Sequence, residues 1–191
     1  MLSFYGRLIL RFNHTAFADE RKRMKVLIIS DIHYATETAK RAIDANRDAE
    51  TVLFLGDGLD LVEKISLEYP KVGFISVKGN CDFCFPEIPL SKTVTLGGVK
   101  IFMCHGHKYS IKNDFTAVIY AAGKEDADLI LYGHTHRPSK GECILPSGKT
   151  AVLFNPGSLG EPRGGSKYSY GILEITEDEG KPSFTLRHIN L

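Results

Sequence analysis

The chain has 191 residues and a mass of 21.2 kDa, which suits one domain with a buried core. Its 24 lysines and arginines nearly balance 23 acidic residues, and the formal net charge of +1 disfavours a nucleic-acid-binding surface. The four cysteines are too few for a disulfide-stapled fold, which favours a reducing cytoplasm. Because no uncharged apolar run reaches the roughly 18 residues of a membrane span, we expect no contact with a membrane.

Residues 1–23 are treated as an N-terminal extension, for which two interpretations stay open. Translation could begin at Met24, where the strand-like run "MKVLIISD" starts, or the extension could be an added helix or strand at an oligomer contact. A signal peptide is disfavoured because Arg7 and Arg11 interrupt its apolar run and no small-residue cleavage site follows. We favour the start at Met24 and assign the domain to residues 24–191.

The first part of the chain alternates strands with helices. Continuous apolar runs are typical of strands buried on both faces, and the segments between them have helical spacing. In chain order the pattern predicts a strand at Lys25–Ser30, a helix at Thr38–Ala49, a strand with its turn at Thr51–Gly58, a helix at Leu59–Tyr69 and a strand at Lys71–Asn80. This order predicts parallel strands joined by right-handed crossovers.

The second part of the chain is richer in strands. The pattern predicts a hairpin around Gly97-Gly98, a helix at Tyr109–Glu125, a strand within Asp126–His136, and strands at Thr150–Phe154, Tyr168–Ile175 and Ser183–Asn190. Two packed β-sheets flanked by helices would accommodate all of these elements in one α/β domain.

Five of the predicted strands end in Asp, Asn or His beside small residues. The segments are "SDIH" (30–33), "GDG" (56–58), "GNCD" (79–82), "CHGH" (104–107) and "GHTH" (133–136). Ligands bind beyond the carboxyl ends of strands in open α/β sheets, so we expect these segments to converge. Each segment alone has an ordinary explanation as a turn or a cap, but five in this order favour a joint site.

The donor types within these segments indicate a site for metal ions. Residues two apart in an extended segment point the same way, so Asp31 with His33, and His134 with His136, can each direct two donors at one centre. A mixture of carboxylate, amide and imidazole suits Mn²⁺, Fe²⁺, Co²⁺, Ni²⁺ or Zn²⁺. Asp57, on the central strand of the first part, is the natural bridge between two ions.

The order "DIH … GDG … GNCD … HGH … GHTH" resembles the calcineurin-like metallophosphoesterase superfamily. The cysteine after the asparagine and the segment "NPGSLGEPR" (155–163) resemble its small prokaryotic phosphodiesterase branch. The similarity begins near Met24 and implies a four-layer α/β/β/α sandwich. It also implies that phosphoesters, aryl-type diesters in particular, are hydrolysed by a hydroxide that bridges two metal ions, without a covalent enzyme intermediate.

The resemblance implies a role for each motif residue. One metal ion would be held by Asp31, His33 and His136, the other by Asn80, His105 and His134, with Asp57 between them. The catalytic residues it implies are Asp57, Asn80, Cys81 and His105, and the substrate contacts are Cys81 and Arg163. Mn²⁺ is the first expectation for both ions, with Ni²⁺, Co²⁺, Fe²⁺ and Zn²⁺ as alternatives, and a small phosphoester is the expected substrate.

Cys81 stands where many family members carry a histidine that contacts the phosphate or protonates the leaving oxygen. A thiol with an ordinary pKa of about 8.5 is a weaker donor to a leaving alkoxide than imidazolium, so we expect a bias toward good leaving groups. Cys81 with Cys84 as a zinc knuckle lacks a second pair, and as a redox pair lacks a following helix start.

Three other features have open interpretations. Asp82 could orient His33 or a neighbouring ligand, or could cap a turn. His107 is expected to be structural or to contact substrate. The segment 155–158 could be a tight turn only, or part of the loop that presents Arg163.

The main rival function is that of the retromer scaffold subunit, which has the same fold and binds partners without catalysis. There a ligand carboxylate is replaced, whereas this chain keeps Asp57, Asn80 and the four expected histidines, which favours catalysis. Nuclease activity is disfavoured because the domain is small and nearly neutral. A homo-oligomer, dimer or tetramer, stays open.

Overall fold

The computed structural model describes residues 23–178 and 180–191. The two interpretations of the N-terminal extension, residues 1–23, therefore concern a segment that lies outside the described residues except for Arg23. The elements are β1 Met24–Ile29, α1 Thr36–Asp44, β2 Thr51–Phe54, α2 Leu59–Glu68, β3 Gly73–Ser76, β4 Ser91–Leu96, β5 Val99–Cys104, α3 Thr116–Lys124, β6 Leu129–Leu131, β7 Ser139–Ile144, β8 Thr150–Asn155, β9 Ser169–Asp178 and β10 Lys181–Asn190.

The strands form two mixed five-stranded sheets. The first sheet has the order β10-β9-β1-β2-β3, and the second has the order β4-β5-β6-β8-β7. Strands β1, β2 and β3 are parallel, as are β5, β6 and β8. Antiparallel strands complete the sheets: β9 and β10 on one side of the first, and β4 and β7 at the two edges of the second. The parallel strands bring the loops at their carboxyl ends to one side of each sheet.

Strand β1 shows why both faces of the first sheet are covered. Alternate side chains point to opposite faces, so Leu27 and Ile29 pack in the cluster that includes the buried residues of α1 and α2. Val26 and Ile28 pack in a second cluster with residues of the other sheet, such as Ile101. A third cluster joins the second sheet to α3. The layers are therefore helices, sheet, sheet and helix, and the predicted α/β/β/α architecture is confirmed.

The structure differs from the sequence prediction in two segments. The predicted helix Tyr109–Glu125 begins only at Thr116, after a 3₁₀ turn at His107–Tyr109 and a loop. The carboxylate of Asp114 accepts a hydrogen bond from the Thr116 backbone N–H at 2.7 Å, which favours the helix start there. Strand β7 was not predicted, because it is a largely exposed edge strand with little apolar sequence. None of the helices in the described residues is long and apolar enough to cross a membrane.

Candidate metal centre

The loops after β1, β2, β3, β5 and β6 meet at one edge of the molecule, which we call the rim. The Asp31 N–H donates to the Gly56 carbonyl at 3.0 Å, so the β1 and β2 loops stay paired beyond the strands. The Gly133 N–H donates to the His105 carbonyl at 3.0 Å in the second sheet. The His134 N–H donates to the Asp31 carboxylate at 3.1 Å and thereby joins the two sheets. The predicted convergence of the five segments is thus seen in the structure.

One donor group on the rim is formed by Asp31, His33, Asp57 and His136. Each offers a ligand atom, and these atoms all lie within 4.8 Å of one another. The closest approaches are 3.1 Å between Asp31 Oδ1 and His136 Nε2, and 3.4 Å between the Nε2 atoms of His33 and His136. Asp31, Asp57 and His136 are buried.

A second donor group lies on the other side of Asp57. Nε2 of His105 is 3.3 Å from Asp57 Oδ2 and 3.1 Å from Asn80 Oδ1. The ring of His134 lies next to that of His105, with a centroid separation of 5.0 Å. Asp57 therefore lies between the two donor groups, at the position that the sequence predicted for a bridging ligand.

The backbone of the rim is held in an unfavourable conformation. Asp31, His33, Asp57, His134 and His136 all have positive φ, between 49° and 65°. Each such residue costs about 1–2 kcal/mol relative to ordinary backbone, although Asp and His tolerate it better than most. Such strain clusters where function fixes a side-chain direction, and here it falls on residues whose side chains converge.

Two glycines allow the loops to approach closely enough. A Cβ atom on Gly79 would overlap the carboxylate of Asp57, and one on Gly133 would overlap the hydroxyl of Ser30. The glycines of the predicted motifs are therefore needed for packing at these two positions.

Backbone carbonyl groups fix the tautomers of two histidines. Nδ1 of His105 lies 2.8 Å from the Leu55 carbonyl, and Nδ1 of His136 lies 2.6 Å from the Glu161 carbonyl. Because a carbonyl only accepts, Nδ1–H is the donor in both cases. In the neutral rings the lone pair is then on Nε2, which points at the carboxylates.

Asp82 holds the rim loops together from beneath. Its buried carboxylate accepts hydrogen bonds from the N–H groups of Asp57, Gly58, Leu59 and Gly79 at 2.7–2.9 Å. Leu59 is the first residue of α2, where negative charge is favourable. Asp82 caps the turn, as one interpretation of the sequence had it, and it does not contact His33. It also accepts a hydrogen bond from the backbone N–H of the candidate ligand Asp57, in agreement with the other interpretation.

Several candidate ligand atoms on the rim lack a partner unless a proton or a cation lies among them. Oδ1 of Asp31 is buried and accepts no hydrogen bond unless Nε2 of His136, 3.1 Å away, carries a proton, and the Nε2 atoms of His33 and His136 lie 3.4 Å apart. Buried acceptors of this kind need a proton or a metal ion. Carboxylate oxygens with imidazole nitrogens are ligands of borderline divalent metals, so the residues fit such ions.

Without metal, protons supply the positive charge at the rim. Burial alone would lower the pKa of His105 and of His136, but the facing carboxylates of Asp57 and Asp31 raise both above the ordinary value. Burial alone would raise the pKa of Asp57, but the His105 ring and the Cys81 N–H hold it well below its ordinary range. Burial and repulsion from His105 lower the pKa of His134 to about 4.

The other residues singled out from the sequence lie around this centre. Cys81 is exposed as a residue, and its Sγ lies 3.3 Å from Asn80 Nδ2. Partial desolvation of the thiol and the nearby Asp57 carboxylate raise its pKa to about 11. His107 packs against the His105 ring at 5.4 Å. The Arg163 guanidinium is half exposed and lies 3.6 Å from the Glu161 carboxylate.

The segment 155–163 has a structural role that the sequence reasoning did not assign. The buried Ser158 hydroxyl donates to the Asp31 carbonyl at 2.8 Å, and the Gly160 N–H donates to the same carbonyl at 3.0 Å. The segment also supplies the Glu161 carbonyl that orients His136. The compact "NPGS" motif was the available signal, but it was interpreted only as a turn or as part of the loop that presents Arg163.

The chain belongs to the calcineurin-like phosphoesterase superfamily, whose domain profile matches residues 24–178. It is 35% identical over 162 residues to the probable metallophosphoesterase YsnB of Bacillus subtilis, which covers 84% of this chain and 90% of YsnB. It is 29% identical over 178 residues to the phosphodiesterase YfcE of Escherichia coli K12, covering 79% and 88% of the two chains. The resemblance inferred from the motifs is thereby confirmed.

Solved structures share the fold. The YfcE structure, described as that of a phosphoesterase, is 26% identical and aligns with a TM-score of 0.57 over 87% of this chain and 98% of its own. Vacuolar protein sorting 29 from Cryptosporidium parvum aligns with a TM-score of 0.65 over 88% and 99%, at 19% identity. The second likeness concerns the fold alone.

We predict that Asp82→Asn loosens the rim. An amide presents one oxygen instead of two and places N–H groups against N–H donors, so the free energy of unfolding of the metal-free protein should fall by about 2–4 kcal/mol in urea titrations. Metal affinity measured by calorimetry should weaken by about tenfold or more. Asp178→Asn, at an exposed site, is the matched control and should change little. Equal effects of the two substitutions would contradict the role given to Asp82.

We predict opposite pH dependence for the metal-free and metal-loaded protein. The folded pKa values of His105 and His136 are raised, so their stabilisation is complete below the ordinary value of about 6.5 and is lost as pH rises through the folded values. The free energy of unfolding with chelator present should therefore fall between pH 6.5 and 8. With saturating metal it should rise, because metal binding needs unprotonated rings. A metal-free stability that rises over this interval would refute the assignment.

Proposed function

We propose that this protein is a phosphodiesterase that uses two divalent metal ions and favours diesters with aryl leaving groups. The observation that supports it most is the place of Asp57. Its carboxylate belongs to the donor group of Asp31, His33 and His136, and it also lies 3.3 Å from His105 on the other side. A carboxylate shared by two donor groups is the arrangement that a two-metal hydrolase needs.

The ligands assigned in this proposal are those of the two donor groups. One ion takes Asp31, His33 and His136, the other takes Asn80, His105 and His134, and both take Asp57. Mn²⁺ is our first choice, and Ni²⁺, Co²⁺, Fe²⁺ and Zn²⁺ suit the same donors. When bound, the ions supply Lewis acidity that makes water more acidic and positive charge that offsets the charge of the phosphate.

The protein itself supplies orientation and contacts to the substrate. The Cys81 thiol, whose pKa burial and the nearby Asp57 raise in the metal-free protein, can donate only a weak hydrogen bond to a leaving oxygen. Aryl oxides leave with little help from a proton donor, which is why we assign aryl diesters as the favoured class. Arg163 is assigned to a phosphate oxygen because its guanidinium lies 3.6 Å from the Glu161 carboxylate, which is itself 3.9 Å from the candidate ligand His33, and a planar fork suits that anion.

The alternative function is a metal-poor scaffold that binds other proteins. The fold of vacuolar protein sorting 29 is the observation in its favour. Against it, the chain brings all seven candidate ligands to one rim, and two of the carboxylates there are buried. We also propose a small phosphoester as substrate and a cytoplasmic location, since neither the charge of +1 nor the four cysteines favour nucleic acid or an oxidising compartment.

The metal requirement is tested with bis(4-nitrophenyl) phosphate. Chelator-treated protein should be inactive and should regain hydrolysis when Mn²⁺ or a similar ion is added. Asp57→Asn should lower kcat/KM by at least about 100-fold, because it removes a shared ligand. The control Asp178→Asn should retain activity. Protein that stays inert with every one of the five ions would favour the scaffold, and an active Asp57→Asn would exclude the bridging role.

The role of Cys81 is tested by restoring a better proton donor. Cys81→His should raise kcat/KM about 10- to 100-fold for a diester with a poor alkyl leaving group, since general acid catalysis contributes factors of this size or larger. Its effect on a 4-nitrophenyl leaving group should stay within about threefold. Cys84→His, at the neighbouring exposed cysteine, is the matched control. Equal gains for both leaving groups would contradict the assignment.

A further inference from the structure

A groove of about 420 Å³ is lined in part by residues that adjoin the candidate metal ligands in the chain. Thr135, which lies in the chain between the candidate ligands His134 and His136, lines the groove, and so does Arg163. The Arg163 N–H donates to the carbonyl of His136 at 3.2 Å, so the groove and the candidate metal centre share neighbouring backbone, although none of the seven candidate ligands lines the groove. Its volume lies within the range of about 300–1,000 Å³ that is usual for sites that bind small molecules.

The charged residues that line the groove are all cations. They are Lys112, Arg137 and Arg163, and no acidic residue is among the lining residues. Within the described part of the chain, Lys112 and Arg137 are in no ion pair, whereas Arg163 lies near Glu161. Gly164 leaves room for the Arg137 side chain, because a Cβ at that position would come within 2.6 Å of its Nε.

The uncharged lining of the groove includes two aromatic side chains, Phe115 and Tyr132. Phe115 packs edge-on against Tyr132 with ring centroids 5.3 Å apart. The Tyr132 hydroxyl is hydrogen-bonded to Ser139 at 2.6 Å, so no buried hydroxyl needs a ligand. This lining can contact an apolar or planar group, while the cations need anions.

We propose that the groove binds a second anionic group of the substrate, carried on an aromatic or otherwise apolar moiety next to the scissile phosphate. The substrate class would then be phosphodiesters whose retained group bears an additional phosphate or carboxylate. This inference rests on the proposed function, since it places the second group relative to the candidate metal centre. Cations that have no ion-pair partner among the described residues, as Lys112 and Arg137 here, attract a substrate of higher negative charge.

A matched pair of diesters tests the proposal. The two compounds are 4-nitrophenyl phenyl phosphate and its analogue with a carboxylate on the phenyl ring, each assayed with Mn²⁺-loaded protein. Wild-type protein should favour the carboxylate about tenfold in KM, a preference equivalent to about 1.4 kcal/mol. The double variant Lys112→Gln, Arg137→Gln should lose most of that preference. Lys64→Gln removes the same charge from an exposed position on α2 and should keep it.

The outcomes separate this proposal from the one on which it rests. Hydrolysis of both diesters without a preference, or with a preference that the double variant keeps, overturns the groove assignment and leaves the phosphodiesterase intact. If neither diester is hydrolysed, the proposed function fails. The groove assignment is then tested separately by calorimetric binding of the same two compounds. Tighter binding of the carboxylate by wild type than by the double variant supports the groove, and equal binding overturns it.

Discussion

Two carboxylates, Asp31 and Asp57, are buried where both sheets end, and the chain must supply positive charge to keep them there. A buried carboxylate without a partner is far more costly than one in water. In this protein the partners are imidazole rings whose Nε2 atoms face the carboxylates at 3.1–3.3 Å. Protons on these rings meet the need below their raised pKa values, and a divalent cation would meet it when the rings are unprotonated.

The strained backbone of the rim follows from the same constraint. Five candidate ligands adopt left-handed conformations so that their side chains point at a common centre. The Asp82 carboxylate holds these loops by accepting hydrogen bonds from four backbone N–H groups. The Asp31 carbonyl adds to this by accepting from the Ser158 hydroxyl and the Gly160 N–H. Backbone contacts that involve no ion thus fix the directions of the candidate ligands, and support of this kind strengthens a metal site.

The sequence predicted most of what is local and repetitive. Apolar runs such as that of β1 are buried on both faces, and a turn of polar residues after each parallel strand reaches the same edge, so the two packed sheets and the convergence of the polar segments followed from pattern. The set of candidate ligands came from the family resemblance. The prediction of secondary structure was less accurate where the sequence contains few apolar residues. The edge strand β7 and the loop before α3 are stabilised by neighbouring strands and by single side-chain contacts such as that of Asp114.

The contacts that support the rim could not be read in this way, because they join residues distant in the chain. Asp82 had two interpretations until its four N–H partners were known. Lys112 and Arg137 are ordinary surface cations in the sequence and share a groove only in the folded chain. The roles of the individual ligands still rest on the family resemblance together with this geometry.

Anomalous diffraction from crystals grown with Mn²⁺ tests the central idea most directly. The account predicts two peaks about 3.5–4 Å apart, one beside His33 and His136 and the other beside His105 and His134, with the Asp57 carboxylate contacting both. Peaks only at surface carboxylates, or no ordered Mn²⁺ at the rim at saturating concentration, would contradict it.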